Sequence, residues 1–155
     1  MTSAAQTPTE PGTLVKGAAI TGLANAAING AIQAVLMAGH GPVALSADTI
    51  GTSEHTVLGT AVLLATVLAM ILTAIGHLTL KGPKRPFLPD GLWLVIKHGL
   101  FAFGTVFAAA ILWQRVAGTL VVGVPVAVVV LAVVAGVVAA AVHAMTIIAA
   151  TAPRR

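Results

Sequence analysis

The chain has no cysteine, and only 8% of its 155 residues carry a charge. The first absence removes disulfides, thiolate nucleophiles, iron–sulfur ligation and zinc–thiolate sites. The second is more telling. Soluble domains carry about 25% charged residues, so a water-exposed globule is excluded. Disorder is excluded for the opposite reason, because 58% of the residues are hydrophobic and a chain this apolar has ample surface to bury. Acidic residues are the scarcer charged kind, four against eight basic ones, and none lies in the core of an apolar run. That argues against a carboxylate-driven proton pump or sodium symporter, and against a hydrolase. No secretory signal is expected, since Met1–Pro11 has neither a basic residue nor a short apolar core.

What is present is length of apolar sequence. A hydrocarbon core of ~30 Å needs about 20 apolar residues of helix. Four segments qualify, at about 14–38, 56–80, 92–113 and 120–150. The expected fold is therefore all-α: an integral membrane protein of four transmembrane helices in an up-down-up-down bundle, forming one domain over 14–150. Residues 1–13 read as a disordered cytoplasmic leader and 151–155 as a basic cytoplasmic tail. Lys16, Lys81, Lys84, Arg85, Arg154 and Arg155 fall on one side of the alternating spans, and Arg115 on the other. The positive-inside rule then puts both termini in the cytoplasm of an inner (plasma) membrane. Trp93 and Trp113 bracket the third span about 30 Å apart, the separation of two aromatic belts. Thr52, Ser53 and Glu54 are candidates to cap the second helix, and Asp90 the third.

Polar groups inside such spans carry the functional argument. In the first span Thr21, Asn25, Asn29 and Gln33 recur every fourth residue, beside a row of small residues, Ala18, Gly22, Ala26, Gly30, Ala34 and Ala38. A small row lets a second helix approach closely, while the polar row bonds across the contact or lines a path. The fourth span has a matching row, Ala132, Gly136, Ala140 and Ala144, which makes it the candidate antiparallel partner, or else an oligomer contact. A second polar group comprises His77, Lys97, His98 and His143, with Thr66, Thr73 and Thr146 nearby. It reads as helix-to-helix bonding with Lys97 snorkelling, as an inner anion or proton site, or as axial ligation of haem by His77 and His143.

His40, Asp48, Glu54 and His55 in the 39–55 loop form no metal-ligand spacing. The scattered basic residues make no nucleic-acid patch. No cofactor is expected beyond the haem alternative. The partners expected are the lipid bilayer and further copies of the chain or subunits of a membrane complex. These features give a non-enzymatic permease-like or channel-like protein for a small polar solute or anion. Thr21, Asn25, Asn29 and Gln33 would line the path, with Lys97 and the histidines at its inner mouth. The alternative is an anchor or accessory subunit whose small-residue rows are partner-binding faces.

Overall fold

The computed structural model describes residues 11–47, 56–80 and 86–151. Its elements are helix α1 (Pro11–Leu36), strand β1 (Val43–Leu45), helix α2 (Val57–Thr79), a π-helical turn (Phe87–Gly91), helix α3 (Leu92–Ala117), strand β2 (Leu120–Val122) and helix α4 (Val124–Thr151). All four helical segments are long and apolar enough to cross a membrane. Of the expected leader over 1–13, residues 11–13 instead open α1; residues 1–10, the capping residues Thr52, Ser53 and Glu54, and the basic residues of 81–85 and 152–155 lie outside the described residues.

The helices are built inside out relative to a soluble bundle. Leu23, Val35, Leu63, Leu100, Leu112 and Val137 are among the large apolar side chains that face outward. The interior is made largely of alanine, glycine and small polar groups. In lipid, hydrocarbon gains nothing by moving a leucine inward, so close packing of small residues decides which faces meet. In α2 the buried row Ala61, Ala65, Ala69, Thr73 and His77 repeats every fourth residue. In α4 two faces are inward: Ala127 and Leu131 join one apolar cluster and Val138 and Val142 a second, with Ala135 buried between them, and the small row Ala132, Gly136 and Ala140 meets α1.

Those two faces put α4 between α1 and α2. The helices lie in the order α1–α4–α2–α3: α1 packs extensively on α4, α4 on α2 and α2 on α3, while α3 meets α4 only sparsely. The α1–α4 seam is tightest at the paired glycines. A methyl on Gly22 would lie 2.8 Å from the Gly136 carbonyl oxygen, and one on Gly136 would lie 2.9 Å from Ala26 Cβ and 3.0 Å from the Gly22 carbonyl oxygen. Gly30 meets Ala132 further along and Gly17 meets His143 at the other end, so the two helices run antiparallel in constant register.

One feature departs from the expected loops. Residues 43–45 and 120–122 pair as a two-stranded antiparallel ribbon, Val43 opposite Val122 and Leu45 opposite Leu120. The fourth span therefore starts at Val124, not at Leu120, and the third continues past Trp113 to Ala117. Gly118, with φ of 70°, stops α3 and returns its N–H to the Gln114 carbonyl; a left-handed backbone of this kind suits glycine. Gly123 then starts α4 by accepting from the Val126 and Ala127 amides. The ribbon is fixed to α3 by the Ala47 N–H, which donates to Gln114 Oε1 at 2.9 Å. We call this the hairpin end of the molecule.

The caps also differ from expectation. Thr56 caps α2, its hydroxyl accepting from the Gly59 N–H at 3.3 Å. Asp90 does not cap α3: it sits inside the π-helical turn, and Gly91 at the helix start has no side-chain cap. The turn places Asp90 one step too far into the helical path for its carboxylate to serve the first free amides.

Candidate functional site

The polar row of α1 divides into three kinds of residue. The Asn25 amide donates to the Thr21 carbonyl at 2.9 Å and the Asn29 amide to the Asn25 carbonyl at 3.0 Å. Both asparagines thus bond within their own helix, as short polar side chains do when they reach back one turn. Thr21 reaches across the seam instead, its hydroxyl 3.2 Å from His143 Nδ1. His143 occupies the space that Gly17 leaves open, since a methyl there would lie 3.0 Å from Nε2.

Gln33 is different. It is 9% exposed, and its side-chain amide has no hydrogen-bond partner among the described residues. It lines a cleft of about 600 Å³ at the hairpin end. The cleft exists because α1 and α2 both pack on α4 without closing on each other. Gln33, Leu36 and Met37 of α1 form one wall, Thr56, Val57 and Thr60 of α2 the other, Leu131 of α4 the floor, and residues 40–44 the rim. Thr56 uses its oxygen as the α2 cap acceptor, which leaves its O–H available. Among the described residues that line it there is one histidine, His40, and no Asp, Glu, Lys or Arg. Spacing alone puts Gln33 in a row with the asparagines. The structure separates it from them, because only Gln33 lies level with the gap between α1 and α2.

The three span histidines are distributed over three interfaces. His98 is buried where α2, α3 and α4 meet. Its Nδ1 lies 2.9 Å from Thr73 Oγ1 and 3.4 Å from Thr146 Oγ1. The Thr73 hydroxyl gives its proton to the Ala69 carbonyl at 2.7 Å, so toward His98 it acts as an acceptor and Nδ1 carries the hydrogen. His77 is buried under the turn that opens α3, edge-on to Phe87 with ring centroids 5.7 Å apart and against Gly91. His143 belongs to the α1–α4 seam. Lys97 is exposed on α3, its ammonium 5.5 Å from the centre of the Trp93 ring, a cation–π contact.

His77 and Lys97 line one small hollow with Asp90, Trp93, Leu94, Ala149 and Ala150, about 130 Å³ at the end of the molecule opposite the hairpin. His98 and His143 do not line it. Thr66 bonds the Val62 carbonyl of its own helix. Among the described residues no three His, Asp or Glu side chains group as metal ligands. Compared with known proteins, the chain matches no family model, no curated protein and no solved structure.

Proposed function

We propose that the protein crosses a bilayer four times, with both termini and the 81–91 segment on the cytoplasmic side and the hairpin end outside, and that it admits a small uncharged polar solute through the cleft at Gln33. Four apolar helices and the bias of Lys and Arg toward one side of the alternating spans support the placement. The observation that carries the solute reading is the Gln33 amide, nine-tenths buried and facing a cleft without a protein partner. The amide opens onto the cleft and can bond a guest there, and a typical hydrogen bond of this kind contributes about 0.5–1.5 kcal/mol net. The cleft is of ligand size by general experience, about 300–1,000 Å³. With no Lys or Arg among its described lining residues, the cleft suits a neutral solute better than an anion, which narrows the expectation from sequence.

Beyond Gln33 the α1–α4 seam is shut by the Gly22–Gly136 contact. Passage through a single copy therefore requires α1 to part from α4, which is the most extensive helix contact of the fold, although α1 has little contact with α2 or α3 to hold it back. The test is flux of glycerol and urea into proteoliposomes followed by light scattering, with a chloride-sensitive dye for anions. Neutral flux above that of empty vesicles is expected, lost in Gln33→Leu and kept in Asn25→Ala, whose amide serves only its own helix. Flux unchanged in a folded Gln33→Leu variant, or chloride moving in preference to both neutral probes, overturns the reading.

A further inference from the structure

The hollow at the end opposite the hairpin has its own chemistry. Asp90 of the π-helical turn and Trp93, Leu94 and Lys97 of α3 follow at helical spacing and line the hollow together. Ala149 and Ala150 of α4 close the other side, and the buried His77 ring forms the back wall. A carboxylate and an ammonium thus stand on one shallow hollow at the level of Trp93. Its volume of about 130 Å³ matches roughly four water molecules at ~30 Å³ each, too small for an acyl chain and of the order of a lipid headgroup.

We propose that this hollow binds the phosphoethanolamine headgroup of a membrane lipid, Lys97 taking the phosphodiester and Asp90 the primary ammonium. The charges select the class. A free phosphate would meet Lys97 but bring excess negative charge toward Asp90, and the glycerol headgroup of an anionic lipid would offer Asp90 only neutral hydroxyls in place of an ammonium. A choline headgroup would meet both charges, yet its quaternary nitrogen has no N–H to donate to a carboxylate. It is also best held by an aromatic face, and the Trp93 face toward Lys97 already carries that ammonium. An ammonium four residues inside an interfacial tryptophan reaches back toward lipid phosphates, and Asp90 beside it makes the site specific for the group esterified beyond the phosphate. This site requires the bilayer placement but not the Gln33 cleft, so either can fail alone.

The experiment is native mass spectrometry of the full chain released from nanodiscs of equimolar phosphatidylethanolamine, phosphatidylcholine and phosphatidylglycerol. Phosphatidylethanolamine should be retained over phosphatidylcholine by about tenfold, the ratio that one charge-assisted hydrogen bond sustains. Asp90→Asn should bring that ratio close to one, Asp90→Glu should restore it, and Lys97→Gln should weaken retention of all three lipids. Ala149→Phe, which fills the hollow without altering charge, should abolish the preference as well. Equal retention by the parent chain, a preference for phosphatidylglycerol, or an Asp90→Asn variant that keeps its selectivity overturns the proposal. Displacement of the lipid by an equal concentration of soluble glycerophosphoethanolamine overturns the assignment to a lipid.

Discussion

Replacing Gly22 by alanine tests the seam on which α1 depends. The added methyl meets the Gly136 carbonyl oxygen at 2.8 Å and Ala140 Cβ at 3.0 Å. Neither can rotate away: the first is backbone and the second is fixed to it. Relief requires α1 and α4 to separate by about half an ångström, a gap that forfeits a quarter or more of the dispersion energy of each atom pair along the contact. Overpacking of this kind costs about 1–3 kcal/mol, against a helix-propensity gain for Gly→Ala of up to ~1 kcal/mol. Gly104 supplies the control, because a methyl there meets nothing within 4 Å. Gly104→Ala should therefore be neutral or slightly stabilising, and Gly22→Ala about 1–2 kcal/mol destabilising on the same balance of terms. Gly30→Ala, whose methyl meets only Ala132 Cβ at 3.1 Å, should fall between them. Steric trapping or detergent-driven unfolding in mixed micelles measures the order, and hydrogen exchange should show α1 losing protection ahead of α2 and α3. If Gly22→Ala is tolerated as well as Gly104→Ala, the seam is not close-packed and the reasoning fails.

The polar contacts give two further expected outcomes. Thr73→Val removes the acceptor for the buried His98 Nδ1–H and should destabilise the protein by about 1–3 kcal/mol; in a His98→Phe background the same change should cost at least ~1 kcal/mol less, a coupling that a double-mutant cycle in micelles reads directly. Gln114→Leu takes away the acceptor of the Ala47 amide and should cost about 1 kcal/mol, with faster hydrogen exchange over Val43–Ala47 and none gained in α1. Uniform exchange throughout Gln114→Leu would contradict a local role for that bond.

Much of the architecture is legible along the chain because apolar length and small-residue spacing are local signals. The rows at Gly22 and Gly136 mark the α1–α4 contact, and the glycines meet there. The ribbon is not legible: three residues show no alternation, and Leu120–Val122 continues an unbroken valine-rich run whose only punctuation is Gly118, Gly123 and Pro125. The α2 cap is ambiguous for a similar reason, with several hydroxyls in a short stretch and Thr56 the one placed to meet the Gly59 amide. The candidate site is harder still. Spacing assigns Gln33 and Asn29 to one face, but the order α1–α4–α2–α3 decides that Gln33 looks into a cleft while Asn29 bonds its own helix. The same order separates His77, His98 and His143, whose similar depths in sequence suggest one cluster and whose helices give each a different neighbour.

The absence of cysteine makes the placement in the bilayer directly measurable. Single-cysteine variants Gly41→Cys, beside the hairpin, and Leu88→Cys, in the turn before α3, are treated in intact cells with a membrane-impermeant maleimide. The account predicts labelling of Gly41→Cys at once and of Leu88→Cys only after permeabilisation. Labelling of both from the same side of the intact membrane would contradict it.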